Sequence, residues 1–343
     1  MELALYCPNS GYYRRAADQV GRYGDFFTSV STGSLFGEML AFQFAHWLEG
    51  IAANPVHLVE AGAHDGQLAF DILDWLRHHR PAVFNRLGYW VIEPSQRQQT
   101  WQRAKLEQFA GRVHWTQSLQ ALPGSGVNGV IFSNELLDAF PAHRLVWEQA
   151  SKRWVESGVT LSNGQFVWSP LPDVECDWNT ELTQAGFELS PELKAVLPDG
   201  FIIEHCPEAR TWWRQAAVAL HRGWLLTIDY GLDAQQFLSP ERSQGTLRAY
   251  RRHQPISNIL ANPGEQDLTA HVNFTQLQKA GEDEGLKTDG FLTQAQFLTD
   301  IARNMWSEGS SAPSSIQARQ FQTLTHPEHL GRSFRVLIQS RNR

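Results

Sequence analysis

The chain has 343 residues, 42% of them apolar, enough to bury one large α/β core with additions or the cores of two domains. Its formal net charge is -7 with no long basic run, which argues against a nucleic-acid partner; the best basic cluster, Arg248-Ala-Tyr-Arg-Arg-His253, reads as a local loop feature. Cys7, Cys176 and Cys206 lie far apart, the 13 histidines show no metal-ligand spacing, and no apolar run reaches spanning length, so neither disulfides, nor a metal, nor a membrane span is expected. The N-terminus lacks the basic region and apolar segment of a secretory signal, and a cytoplasmic protein is expected.

Residues 1–33 are rich in Tyr, Gly and Arg and read as an ordered loop. Leu35, Phe36, Met39, Leu40, Phe44, Trp47, Leu48 and Ile51 follow helical spacing, with Ser34 available as N-cap and Gly50 near the end. Residues 56–68 run an apolar strand into a carboxylate, two glycines and a helix start, and Leu68, Ile72, Leu73, Trp75 and Leu76 continue as an amphipathic helix. A second strand is predicted over 88–93, with Pro94-Ser95 opening a helix to about residue 109. A third strand is predicted over 112–116, a loop over 123–129 and a buried fourth strand over 130–133. Strands alternating with helices make a doubly wound, mostly parallel sheet.

From 143 to 172 the apolar pattern changes to period two, with Asn163-Gly164 as a hairpin signal, so an antiparallel piece is inserted there. Residues 170–200 read as an exposed, partly helical excursion, after which the sheet resumes at 201–204. A helix is predicted over 207–221 and a core strand over 223–231. Residues 232–272 read as a long polar loop, too long for a passive connection. A helix over 274–284, a strand over 285–291, a helix over 294–303, a linker over 307–315 and a closing edge strand over 334–339 complete the chain. The expected divisions are 1–55, covering the cofactor site; 56–142, the first part of the core; 143–200, an inserted substrate or partner subdomain; and 201–343, the second part of the core, with an acceptor-side loop at 232–272.

The turn after the first strand carries the first functional signal. Gly62 and Gly66 let the backbone turn sharply, while Glu60 and Asp65 flank it with negative charge. A pyrophosphate-binding turn would carry a third glycine and no flanking carboxylates, so a cationic ligand without phosphate, S-adenosyl-L-methionine, suits this turn better. Glu93, 33 positions after Glu60 (93 − 60), ends the second strand, where a carboxylate can accept both ribose hydroxyls; the alternative is a helix-start neighbour. Ser118 and Leu119 follow the third strand, where an amide and an apolar side chain could clasp adenine. Asn134 and Glu135 end the fourth strand, at the methyl-donor end of such a ligand. Methyl transfer is chiefly a matter of positioning, and Glu135 and Asp138 could bind a guanidinium and accept its proton; Asp138 could equally cap the short helix before Pro141. Asp229 ends a later strand, so these polar residues converge where open α/β sheets bind ligands.

Gly24-Asp-Phe-Phe-Thr28, Phe36-Gly-Glu38, Glu60-Ala-Gly62, Asn134-Glu-Leu-Leu-Asp-Ala-Phe-Pro141, Asp229-Tyr-Gly231, Gly245-Thr-Leu247 and Asp267-Leu-Thr-Ala-His-Val272 together resemble the MidA-like methyltransferases, in order and over nearly the whole chain. The resemblance implies a class I (Rossmann-like) methyltransferase fold, α/β and mostly parallel, with an antiparallel last strand and an inserted antiparallel β/helical subdomain. It places Gly24, Asp25, Phe26 and Thr28 around S-adenosyl-L-methionine together with Glu60, Gly62, Glu93, Asn134 and Glu135. It places residues 248–253 and 267–271, with His253 and His271, on the acceptor side, where Asp229 and Tyr230 are also expected. The mitochondrial member of the family is an arginine methyltransferase needed for respiratory complex I assembly, so the implied activity is methylation of an arginine in a protein partner. A catalytically silent assembly factor docking through 143–200 is the alternative. A nicotinamide-dependent dehydrogenase is disfavoured by too few glycines and too much negative charge in the turn. The oligomeric state is left open, a homodimer among the options. The chain departs from its relatives at Val30-Ser-Thr-Gly33, in place of a Pro-Glu-Ile-Ser-like run, and at Ala63-His-Asp65, in place of Pro-Gly-Arg.

Overall fold

The computed structural model describes residues 1–14, 28–122, 124, 126–171, 176–251, 254–308 and 312–342. The chain opens on helix α1 (Glu2–Tyr6), where the sequence suggests only loop. Leu5 packs there with Tyr12, Ala249 and Leu268, a tertiary contact that five residues cannot announce by periodicity. Helix α2 (Leu35–Glu49) follows the predicted spacing, but Ser34 does not cap it; its hydroxyl donates to Glu38 Oε1 at 2.7 Å.

The predicted strand-turn-helix unit is β1 (Val56–Ala61) and α3 (Gln67–His79). All six residues of β1 are buried, as in a parallel strand covered on both faces. Then come α4 (Pro81–Asn85), β2 (Leu87–Ile92), α5 (Gln96–Lys105), β3 (Val113–Thr116) and β4 (Val127–Asn134). Ser95 caps α5 by accepting from the Gln98 N–H.

The antiparallel insertion is β5 (His143–Glu148), β6 (Arg153–Ser162) and β7 (Gln165–Pro170). Asn163 and Gly164 turn the hairpin in left-handed backbone, φ 50° and 76°. Residues beyond it form α6 (Trp178–Gln184), α7 (Pro191–Val196) and β8 (Ile202–His205). This stretch is not an exposed excursion: Trp178, Leu182, Phe187 and Leu197 are buried with Trp147 and Trp154. Nor does the central sheet resume at 201–204, because β8 pairs antiparallel with β5.

The chain continues through α8 (Pro207–Ala219) and β9 (Leu220–Leu232) into α9 (Ala234–Phe237), β10 (Arg248–Arg251), β11 (Gln254–Ile256), β12 (Asp267–Thr269) and β13 (Val272–Asn273). The predicted long loop is therefore structured, with β10, β11 and β12 forming their own antiparallel sheet. The last elements are α10 (Phe274–Asp283), β14 (Lys287–Thr293), α11 (Gln294–Glu308), α12 (Ser315–Thr325) and β15 (Phe334–Arg341). The predicted linker is shortened from both ends, since α11 runs through Glu308 and α12 starts at Ser315 behind a Ser314/Gln317 capping box. The last strand is not at the edge: β15 lies between β14 and β9, which explains its almost unbroken burial.

The central sheet runs in the order β14-β15-β9-β4-β1-β2-β3, with β13 beside the end of β9. Strands β9, β4, β1, β2 and β3 pair in parallel and β14 pairs antiparallel with β15, the mixed sheet expected from the sequence. Chain order reverses between β1 and β4, and a ligand crevice forms at the carboxyl ends of strands flanking such a point. The chain divides into two compact units. One comprises 27–136, 212–229 and 280–343 and carries β1 to β4; the other comprises 1–26, 137–211 and 230–279 and carries the two smaller sheets.

Candidate active site

Glu60 near the end of β1 is 2% exposed, and the Tyr89 hydroxyl of neighbouring β2 donates to its Oε2 at 2.6 Å. Burial pushes this carboxyl up to about 7, the Tyr89 hydrogen bond opposing and the Asp65 charge adding to the shift. A cation beside Glu60 would favour its ionised form. The turn that follows has left-handed backbone at Gly62 and Gly66, φ 78° and 87°, and also at His64, φ 45°.

Asp65 corrects an expectation. Its Oδ2 pairs with Lys105 Nζ at 2.6 Å and its Oδ1 accepts the Gln67 N–H at 3.0 Å, at the start of α3. Burial would raise this carboxyl, but hydrogen bonds from His64 and Lys105 outweigh it and hold the group well below the usual carboxylate range. The anion expected to meet a cationic ligand thus already has a cation, whereas Glu60 is held by a neutral hydroxyl.

Glu93 is buried just beyond β2; its Oε1 accepts the Ser95 N–H at 2.8 Å and its Oε2 accepts from Gln102 Nε2 at 3.3 Å. Gln102 Nε2 also donates to the His64 carbonyl at 2.9 Å, and Gln102 Oε1 accepts from Trp115 Nε1 at 2.9 Å. One buried amide thus links α5, β3, Glu93 and the glycine turn. Nothing in the sequence singled it out, since a Gln in a polar helix carries no signal. After β3, Leu119 is buried and the Ser118 carbonyl accepts the Thr116 hydroxyl at 3.3 Å.

The turn after β4 is the most constrained. Glu135 has φ 52°, a left-handed backbone that costs a side-chain-bearing residue roughly 1–3 kcal/mol and is characteristic of functional sites. Its N–H donates to the Ile228 carbonyl at 2.9 Å, and the next N–H, of Leu136, donates to Asp229 Oδ2 at 3.1 Å. Asp229, expected on the substrate side, is fully buried and positions this turn. Glu135 Oε1 accepts from the Ser29 N–H at 3.3 Å and from Asn134 Nδ2 at 3.1 Å. Ser29 follows Thr28, which Ser31 locks through reciprocal hydrogen bonds; the Thr28 end of the Gly24–Thr28 segment is therefore tied to Glu135. Gly24, Asp25 and Phe26 lie outside the described residues, as does His253.

Glu60, Gly62, Gly66, Glu93, Ser118, Leu119, Asn134, Glu135 and Asp229 all belong to the unit that holds β1 to β4, at the carboxyl ends of its strands. Asp138, Tyr230 and His271 belong to the other unit. There Asp138 is buried in a 3-10 turn (Leu137–Ala139), its carbonyl accepting the Ala270 N–H at 2.9 Å. His271 is pushed down to about 4 by burial and the charges of Arg248 and Arg242, so it is neutral at pH 7. In that unit the sequence also missed Glu204, whose buried Oε2 accepts the Thr246 hydroxyl at 2.9 Å and its N–H at 2.5 Å. The Gly-Thr-Leu motif is the turn that wraps this carboxylate.

Among the described residues no cluster of His, Cys, Asp or Glu could hold a metal ion, and no helix is long and apolar enough to cross a membrane. The crevice fits S-adenosyl-L-methionine. Glu60 is a buried carboxyl that a cation would ionise, and Asn134 Oδ1 is a buried acceptor with no hydrogen-bond partner among the described residues. Glu93 and the Ser118-Leu119 pair occupy the adjacent strand ends, where a ribose and an adenine can be held.

Sheet order, antiparallel last strands and a buried carboxyl, Glu60, near the end of β1 together define a class I S-adenosyl-L-methionine-dependent methyltransferase. The chain belongs to a family of S-adenosyl-L-methionine-dependent methyltransferases whose model matches residues 39–292. It is similar to a Burkholderia thailandensis protein solved bound to S-adenosyl-homocysteine, with 29% identity and a TM-score of 0.83 over 99% of this chain and 86% of that one. It is also similar to the mitochondrial protein arginine methyltransferases NDUFAF7 of Danio rerio and Homo sapiens. Each is 26% identical over 97% of this chain, which spans 80% and 77% of their lengths. The protein is thus an enzyme of the methyltransferase class, with S-adenosyl-L-methionine as its cofactor.

Proposed function

We propose that the enzyme methylates an arginine of a protein partner, a respiratory-complex subunit, in the cytoplasm. The observation that carries this reading is Glu135, whose carboxylate is presented from a left-handed turn pinned on both sides, by Ile228 and by Asp229. The relatives' printed name, protein arginine methyltransferase, supplies the acceptor class. A carboxylate held in this way binds a guanidinium through charge-assisted hydrogen bonds and favours one orientation of it. The bound cofactor supplies an electrophilic methyl group. The chain's part is to hold the attacking nitrogen in place, stabilise the guanidinium charge and take up the proton released, for which Glu135 is the candidate base. Asn134 shares the work by donating to Glu135 through Nδ2 and leaving Oδ1 for a ligand donor.

Incubation with methyl-labelled donor and cell extract, followed by mass spectrometry of labelled proteins, tests the proposal. Label on arginine is expected, and Glu135→Gln should lower transfer by about a hundredfold while the cofactor still binds. Label on another residue type, or undiminished transfer by Glu135→Gln, would overturn it. Cofactor binding without any transfer would favour a silent assembly factor.

A further inference from the structure

We propose that the outer part of the β6–β7 hairpin is a self-association surface, through which two copies of the chain pair their β7 strands antiparallel about a two-fold axis. Strand β5 pairs with β6 only over Arg153 to Glu156, whereas β6 and β7 pair from Ser157 and Pro170 out to the turn. Beyond Glu156 the arm is a two-stranded ribbon, and β7 is the terminal strand of its sheet. A ribbon of two strands is at best marginally stable in water, and a third strand or a packed face is what normally secures it.

The chemistry of the arm points the same way. Its 15 residues from Ser157 to Leu171 include no Lys, Arg, Asp or Glu, although charge is the usual device that keeps an edge strand from pairing. Val159 faces Trp168 and Leu161 faces Phe166 across the strands, and Val159, Leu161 and Phe166 are 49%, 64% and 47% exposed. The inner end of this apolar face is covered within the chain, the Arg144 guanidinium lying 4.3 Å from the Trp168 ring. The outer end has no such cover among the described residues.

A second copy suits this surface better than a basic acceptor does. An arginine-bearing segment would be drawn to carboxylates, and the arm has none. Two copies each carrying a net charge of -7 repel one another over most of their surfaces, and an uncharged arm is where they can approach. A strand laid antiparallel on its own copy is self-complementary, the outward N–H and C=O groups of β7 up to Ser169 finding their equivalents, while Pro170, which has no N–H, ends the pairing at the inner end. It would join two four-stranded sheets into one of eight. The arm offers roughly half the residues a standard interface uses on each side, so a reversible dimer is expected, with a dissociation constant of about 1–100 µM.

Sedimentation velocity across that concentration range should show the mass rising from 38.9 kDa towards twice that value. Leu161→Lys and Phe166→Glu should each weaken association at least tenfold, with circular dichroism and cofactor binding confirming the fold. Should either variant fail to fold, Val167→Cys at the middle of β7 decides: mild oxidation should yield a disulfide-linked dimer that the native chain, treated alike, does not form. A chain monomeric at every concentration, a dimer undisturbed by both charged substitutions, or a Val167→Cys variant that does not cross-link would overturn the proposal.

Discussion

The side-chain amide of Gln102 holds the backbone carbonyl of His64 at 2.9 Å, fixing the one residue between Gly62 and Gly66 that adopts left-handed backbone without being glycine. The same nitrogen reaches Glu93 at 3.3 Å, so the two strand ends expected to hold opposite parts of the cofactor are coupled through one buried group. Gln102→Ala removes both contacts and the partner of Trp115 Nε1. It should cost about 2–4 kcal/mol, since buried polar groups are then left unpaired. Urea unfolding with the cofactor absent measures this; Gln102→Glu, which keeps only the acceptor, should recover little of the loss.

His64 invites the opposite experiment. A side chain at φ 45° is strained by roughly 1–2 kcal/mol, a strain that glycine does not carry. His64→Gly should therefore stabilise the protein by about 0.5–1 kcal/mol despite the added freedom of its unfolded chain, since the left-handed backbone it must adopt is unstrained. It would also remove an imidazole 3.8 Å from Asp65, one of the two groups that hold that carboxyl down; Lys105 at 2.6 Å remains and the pair is about a third exposed, so the loss should subtract only a few tenths of a kcal/mol. A lower melting temperature for His64→Gly would show that the imidazole contributes more than its backbone strain costs.

Glu60 makes stability and cofactor binding depend on pH in opposite directions. Its carboxyl is raised by burial from the ordinary glutamate value of 4.5 to about 7. Its contribution to stability is therefore fully present below pH 4.5 and is lost as pH rises through 7, where a buried charge must be carried. Glu60→Gln should abolish that part of the decline, visible as a flatter melting temperature between pH 5 and pH 8. A cationic ligand beside Glu60 favours the ionised form, so binding S-adenosyl-L-methionine near pH 6.5 should release a proton. Calorimetry in two buffers of different ionisation enthalpy would give different apparent heats for the native chain and matching heats for Glu60→Gln.

The sequence made the strand ends legible because strand, carboxylate, glycine and helix start are neighbours in the chain. Glu60, Gly62, Glu93 and the Asn134-Glu135 pair could each be placed from a run of fewer than ten residues. What it concealed depends on distance or brevity. Gln102 reaches His64 across 38 positions, and Asp229 reaches Leu136 across 93. Strands β11 and β12 have three residues each, too few to show a period, so the sequence alone reads as loop there. Strand β15 looked like an edge because its place between β14 and β9 is set by pairing and not by its own pattern. Asp65 misled for a related reason: its cation, Lys105, lies 40 positions downstream.

Gly245 and Glu204 give the remaining test, on the unit that carries the smaller sheets. Gly245 has φ 73°, and a Cβ there would lie 2.3 Å from Glu204 Oε1. Glu204 is held on its other oxygen by Thr246, and burial raises its carboxyl despite those hydrogen bonds. Gly245→Ala therefore combines a left-handed strain with a forced shift of a buried carboxylate, and should cost about 2–4 kcal/mol. Thr246→Val keeps the backbone N–H and removes the hydroxyl that Glu204 and the His271 N–H both use. Its expected cost is smaller, about 1–3 kcal/mol. Because the raised carboxyl is more stable protonated, this second cost should shrink as pH falls, while that of Gly245→Ala, which is steric, should persist. Denaturation of both variants at pH 5 and pH 8 separates the two effects, and equal pH dependence in the two would show that Glu204 does not carry the charge through which Thr246 acts.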